Sequence, residues 1–428
     1  SGFLSGPIKL KSGVTLWIDT GVTLFASRNP ADFDNGVGTC GTATVSNIKS
    51  CNPLILAKST AGSGIVGDGI IDGRGGSLLT SGPNAGARTW WDIAYQNKTS
   101  GLNQQNPRLV QVTKGSGFTL YRITLQNSPN FHVVTETVSG VTAWSIKVLS
   151  PSLAYTKTGY ACPKGTTPDA ITPATCFTPD TVKNTDGFDP GQSSNVLLAN
   201  SYISTGDDHV AIKSSAAPGS KNLMFAHNHF YYGHGMSIGS ETNGGVQNVA
   251  VTDLTMDGYD SPNGAGLRIK SDAASGGSVN GVQYSQVCMR NVRQPLVFDP
   301  FYSSVNGSLY PRFTGIVLSG FHYLGSAKYD GGLLTFSGFA KSGLVNPLDI
   351  RLDNVVFDGA QPTFAKTSRG NPFDTRFAMG PGPVSFSNSI VTSSANGVSI
   401  SGSPGNAAPA DCGAAFVPLS TVVPGSAI

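Results

Sequence analysis

The sequence predicts an all-β chain wound into a right-handed parallel β-helix, and three observations lead there. Glycine is frequent, at 54 of 428 residues, and charged residues make up only 12%, a balance that suits many short strands and tight turns better than helices. A loose unit also repeats: GFTLYRITLQN, GVTAWSIKVLS, NVLLANSYIS, NLMFAHNHFY, NVAVTDLTMD, GVQYSQVCMR, GIVLSGFHYL and DIRLDNVVFD each open on Gly, Asn or Asp and then alternate apolar with polar residues, the period of a half-buried strand. The starts at Gly117, Gly140, Asn195, Asn222, Asn248, Gly281, Gly315 and Asp349 give steps of 23, 55, 27, 26, 33, 34 and 34 residues. Periods of that size mark solenoids, and alternating strands make the solenoid β. Steps this variable argue against the near-constant blades of a propeller. Finally, GDDHVAIKS, GHGMSIGS and LRIKS end alike, on Ile212, Ile238 and Ile269 with a serine two residues later.

Taken in order, Gly6 to Ser27 alternates apolar and polar residues, so strands begin at once. Residues 28–52 and 80–108 are polar and loop-like, the second holding Trp90 and Trp91 in a short helix. Between them Gly64–Gly67 and Gly69–Gly73 read as short strands with glycine turns. The step of 55 reads as two turns plus an insert at about 155–183 that carries Cys162 and Cys176. The residues from Ala407 to Ile428 form a tail that covers the C-terminal end of the coils, tied to Cys288 through Cys412. Paired as Cys40 with Cys51 and Cys162 with Cys176, the remaining cysteines staple polar loops, chemistry of an oxidising compartment and hence of a secreted, extracellular protein. Ser1 opens on a strand-like segment, which reads as a chain whose export signal has been removed. The whole is one domain, 1–428. A formal charge of +3 without basic runs gives no nucleic-acid footprint, and no apolar run is long enough to span a membrane. Asn195, Asn222 and Asn248 read as a ladder of stacked amides at one turn.

Coil counting turns this repeat into a site. Equivalent positions of successive coils lie about 4.8 Å apart, and Asn195 plus 12 is Asp207 while Asn222 plus 12 is His234. Asp186, in NTDGFD, falls one coil earlier. Arg268 and Lys270 fall one coil later, both outward because Ile269 points to the core, and Lys213 beside Ile212 faces the same way. Any one of these alone reads as a turn aspartate, a turn histidine or a solvated strand face. As an ordered set they place carboxylates, an imidazole and two cations on one surface. Crowded carboxylates favour one protonated acid beside one ionised base, the pair that cleaves a glycosidic bond. Inversion needs roughly 6.5 to 9.5 Å between the carboxyl groups, a gap that residues one coil apart meet. A retaining enzyme would need about 5 to 5.5 Å, and neighbours in a strand, such as Asp207 and Asp208, diverge too much to act as that pair.

The ordered set NTDGFDP, GDDHVAIKS, GHGMSIGSE and LRIKSD, with GPIKLKSGVTL, GDGIIDGRGG and NSPNFHV, resembles the polygalacturonases, pectin-cleaving inverting glycoside hydrolases with a pectin-lyase-like β-helix. The resemblance implies Asp207 as general acid, Asp186 and Asp208 as activators of water, and His234 as a hydrogen-bonding partner that tunes the acid. It gives Arg268 and Lys270 to a galacturonate carboxylate, and substrate contacts to Asn184 and Tyr302. It implies no cofactor, no metal and a monomer whose partner is pectin or polygalacturonate. Endo action is expected. The insert ahead of Asn184 leaves two readings open, a wall at the cleft end that favours exo action or a disulfide-tied loop. The competing functions are a calcium-dependent pectate lyase, a non-catalytic carbohydrate-binding β-helix and action on rhamnogalacturonan.

Overall fold

A computed structural model of the chain describes residues 1–169, 173–303, 306–365, 373–392 and 397–428. Contacts divide it into two compact units, one of Ser1–Asp189, Ser201–His209 and Pro418–Ile428, the other of Pro190–Asn200 and Val210–Val417. Both are stacks of parallel coils, and the fold class is the expected all-β right-handed parallel β-helix, the hand that parallel crossovers almost always take.

In the first unit the coils present three rows of strands. Ile8–Leu10, Ile55–Lys58, Val110–Thr113 and Val133–Glu136 make one. Thr15–Trp17, Gly64–Val66, Ser116–Tyr121 and Ser139–Trp144 make the second. Gly2–Ser5, Thr23–Ala26, Ile70–Asp72, Thr124–Gln126, Lys147–Leu149 and Tyr202–Ser204 make the third. Alternation sends every second residue inward, where like stacks on like: Ile71, Leu125, Val148 and Ile203 are register partners and none is more than 1% exposed. Each such side chain contributes about 1.5–3 kcal/mol by leaving water.

Lys147 pairs directly with Tyr202, which corrects the reading of the 55-residue step as two turns. It is a single coil carrying a long insert. The insert has little regular structure beyond two short 3-10 turns, Thr158–Tyr160 and Pro179–Thr181, and residues 170–172 of it lie outside the described residues. It folds onto the expected short helix, Trp90–Ser100, which starts with a capping box between Thr89 and Asp92. Trp91 is sealed among Ala174, Phe177, Val182 and Tyr155, and Asp92 accepts the Ala174 N–H at 3.1 Å. The disulfides Cys40–Cys51 and Cys162–Cys176 form as read from the spacing.

In the second unit strands grow long enough to turn corners, as in Val246–Lys270 and Ser278–Asp299. Val196, Leu223, Val249, Val282, Ile316 and Ile350 are partners in turn, so the steps of 27, 26, 33, 34 and 34 are the coil lengths. Ile212 pairs with Ile238 and Ile238 with Ile269, all 0% exposed; the recurring Ile-x-Ser is one inner stack. The amide ladder also forms, Asn222 donating to Asn195 and Asn248 to Asn222, each at 3.2 Å.

Residues 407–417 of the tail do not close the coil end; they run back along the side. Asn354 donates to the Ala408 carbonyl at 3.1 Å, the His322 ring meets that of Ala410 at 2.7 Å, and the Tyr231 hydroxyl donates to that of Val417 at 2.7 Å. Cys412 bonds to Cys288 midway. Side-chain donors on successive coils satisfy the carbonyls of an irregular segment, which directs it across the coils rather than over the end.

Candidate active site

The first unit holds the carboxylates. Chain direction after the insert is set by Asn184, whose φ of +56° is left-handed and whose amide oxygen accepts from Gln104 at 2.9 Å. The Thr185 hydroxyl donates to the Val182 carbonyl and accepts the Gly206 N–H, both at 2.9 Å, tying the coil of Asp186 to the bend that carries Asp207. The ladder bonds from Gly187 N–H to the Asp208 carbonyl at 2.8 Å and from Phe188 N–H to that of His209 at 3.1 Å put Asp186 level with Asp208 on adjacent coils, about 4.8 Å apart along the axis. That approach needs glycine. A Cβ at position 187 would lie 2.5 Å from the His209 carbonyl oxygen, and one at 206 would lie 2.3 Å from that of Val182.

Asp207 sits on a bend and Asp208 on the irregular backbone that follows it, outside any strand, and each brings a carboxylate oxygen within 4.8 Å of the other. The expectation that these neighbours diverge assumed a strand; the bend removes the alternation that would separate them. Asp208 N–H donates to an Asp207 carboxylate oxygen at 3.0 Å. Asp186 and Asp208 are buried, at 4% and 1% exposure, while Asp207 is half-buried.

His132 is a supporting residue beside this group. Its backbone N–H donates to the Asp186 carbonyl at 2.8 Å, and its ring meets the same oxygen through Nδ1 at 3.0 Å and the Ser150 hydroxyl through Nε2 at 2.9 Å. A carbonyl only accepts, so Nδ1 carries the proton and Nε2 accepts from the serine. Full burial pushes the imidazole down to about 4. The folded state therefore stays neutral where the unfolded chain takes a proton, so stability from this group is complete above about pH 6.5 and is lost as pH falls toward 4. The size is about 3 kcal/mol. Denaturant melts across that window will show the loss, and His132→Gln will flatten it.

The second unit holds the imidazole and the cations. His234 stands half-buried between Gly233 and Gly235, at φ +156° and +112°, and a Cβ at 235 would lie 2.5 Å from the Gly266 carbonyl oxygen. Ser237 is the register partner of Arg268 and accepts its Nε–H at 3.0 Å, which aims the guanidinium. Lys270, expected to face outward from strand parity, is only 6% exposed; its Nζ lies 4.9 Å from the centre of the Tyr302 ring, a cation–π contact. Tyr302 is held by its N–H to the Ser271 carbonyl at 2.9 Å and keeps 46% of its surface open. Burial raises the Asp299 carboxyl, against the Phe301 N–H and the charge of Arg268, which both lower it. Lys213 pairs with Glu241 at 3.6 Å. Ser237 and Asp299 were not singled out from sequence; their register opposite Arg268 and Lys270 was the available signal.

Comparison with known proteins bears on the family of the chain. The chain is 69% identical over 432 residues to a polygalacturonase of Ralstonia nicotianae, covering 100% of this chain and 81% of that protein. It is 45% identical over 317 residues to an endo-polygalacturonase of Pectobacterium carotovorum subsp. carotovorum, covering 74% and 69%. Among solved structures, a polygalacturonase from Erwinia carotovora ssp. carotovora superposes with a TM-score of 0.73 at 38% identity, over 88% of this chain and 86% of that one. The family profile of glycosyl hydrolases family 28 matches residues 1–325, and the chain belongs to that family.

Proposed function

We propose that the protein hydrolyses the α-1,4 bonds between galacturonic acid residues of pectin and polygalacturonate with inversion, in endo mode, as a single-domain monomer outside the cytoplasm. The observation that carries this reading is the grouping of three carboxylates, two adjacent in one non-strand segment and the third level with Asp208 on the neighbouring coil. Ionised together they repel, and a proton on one relieves the repulsion. Asp207, the most exposed, gives that proton to the glycosidic oxygen as the bond to the anomeric carbon breaks. Asp186 and Asp208 take a proton from the water that attacks the opposite face, so configuration inverts. His234 tunes the acid. Arg268 and Lys270 bind the carboxylate of a bound uronate, Tyr302 and Asn184 touch the sugar, and the relatives' printed names support this substrate. Three disulfides support an oxidising location.

Endo action is favoured because, among the described residues, none of 155–183 lines the groove beside Asn184. The insert buttresses the helix Trp90–Ser100, whose Asn97 and Lys98 form part of the groove lining. The test is the product profile on polygalacturonate with a calcium chelator present. A spread of saturated oligomers is expected; monomer alone would show exo action, and unsaturated ultraviolet-absorbing products that vanish with the chelator would show a lyase. Lys270→Ala should raise KM by about 10–100-fold, the worth of a hydrogen bond to a charged group, with kcat nearly unchanged in initial-rate kinetics. A fall confined to kcat would remove Lys270 from carboxylate binding.

A further inference from the structure

The second row of strands in the first unit carries an open aromatic column. Trp17, Val66, Tyr121 and Trp144 are register partners in turn, and the preceding residues Ile65, Leu120 and Ala143 are fully buried. Alternation therefore turns the column outward. Trp17 keeps 71% of its surface open, and Tyr121 and Trp144 are exposed as well. Single apolar residues scattered over a surface are ordinary. Three large rings at one register position within four successive coils make a continuous strip instead. At about 4.8 Å per coil the strip runs roughly 14 Å along the axis.

Two residues back along each strand lies a second outward column, Thr15, Gly64, Thr119 and Thr142, in the same register. None of its threonines is buried, and neither column holds a charge. The charges at the edge are engaged with one another: Arg122 with Asp68 at 2.7 Å, and the Lys147 ammonium with the Arg122 carbonyl at 3.1 Å. The face is thus aromatic on one side, hydroxylic on the other and neutral. Columns two residues apart lie about 7 Å from each other, so the strip covers on the order of 100 Å². A stable protein interface takes roughly 800 Å² per partner. This face suits a ligand one chain wide.

We propose that it binds a neutral β-1,4-linked glucan, the chemistry of cellulose, lying along the coil axis. Such a chain is a flat ribbon that advances by about one coil spacing per sugar. Its C–H faces stack on the aromatic rings and its edge hydroxyls hydrogen-bond the threonines. An uncharged ribbon matches the uncharged face, whereas galacturonan carries a carboxylate on every free ring and finds no cation in either column. The first row, which continues into Phe188–Gly191 beyond Asp186, is a different face, and a fibre held on the second row leaves it open.

The experiment measures depletion of the protein from solution by microcrystalline cellulose, for wild type and for Trp17→Ala/Trp144→Ala. Wild type should be retained, and salt should release little of it because no ion pair holds it. The double variant should bind about tenfold more weakly, the worth of two stacked rings. Its melting temperature and its turnover of soluble polygalacturonate should stay at wild-type values. Trp17→Phe/Trp144→Phe keeps both rings and should regain most of the binding, which separates stacking from damage to the fold. Wild type that ignores cellulose, or a double variant that binds it equally, overturns the proposal. Light scattering tests the other occupant: a wild-type dimer that the double substitution splits would make the face a contact between copies of this chain and overturn the glucan reading. Retention is read without turnover, so this result stands apart from the galacturonan reading of the aspartates.

Discussion

Asp207→Asn should lower kcat on polygalacturonate by about 10²–10⁴-fold, the usual worth of a positioned general acid, while leaving the melting temperature within a degree or two of wild type. The two halves of that expectation have separate causes. Asparagine keeps the size of the side chain and an oxygen that accepts the Asp208 N–H, now at 3.0 Å, so the bend survives. What it lacks is an acidic proton, and the departing sugar oxygen must then leave as an anion. A reducing-end assay alongside a thermal melt reads both. Activity within tenfold of wild type would move the acid role elsewhere, and a large drop in melting temperature would make the loss structural. Asp186→Asn and Asp208→Asn should also be inactive if the water is activated between adjacent coils, whereas His234→Gln should retain more turnover because it acts through the acid rather than on the bond.

The second large effect concerns stability. Cys288→Ser opens a bridge with a sequence separation of 124 residues, and the chain-entropy account puts its worth at about 5 kcal/mol. For a chain of this length that is a fall of about 5 °C in melting temperature. The bridge matters beyond entropy, because it is the covalent point of the strap from Ala408 to Val417, whose other holds are single hydrogen bonds and the Arg290 guanidinium 4.2 Å from the centre of the Phe416 ring. Hydrogen exchange in residues 407–417 should rise in the variant. Cys162→Ser, which opens a separation of only 14 residues, should cost about 3 kcal/mol on the same account. A Cys288→Ser protein no less stable than Cys162→Ser would show that the strap is held by its side contacts alone.

Much of this was legible because a parallel coil converts sequence distance into position. The steps between the units starting at Asn195 and Asp349 equal the register offsets, since each coil must return to the same face before it can pair. The Ile-x-Ser endings marked an inner stack for the same reason. The step of 55 misled because an insert has no period, so no spacing separates one decorated coil from two plain ones.

Sequence by itself determined the β-helix, the coil phase and the cysteine pairs, because each depends on short-range alternation or on fixed offsets. Tertiary structure alone decided the rest. Thr185 meets Gly206, His132 holds the Asp186 carbonyl, Lys270 is sealed against Tyr302, and the tail turns along the coils instead of over them. These outcomes rest on single hydrogen bonds and ring contacts between segments far apart in the chain, and no local pattern encodes which distant donor an irregular backbone will meet.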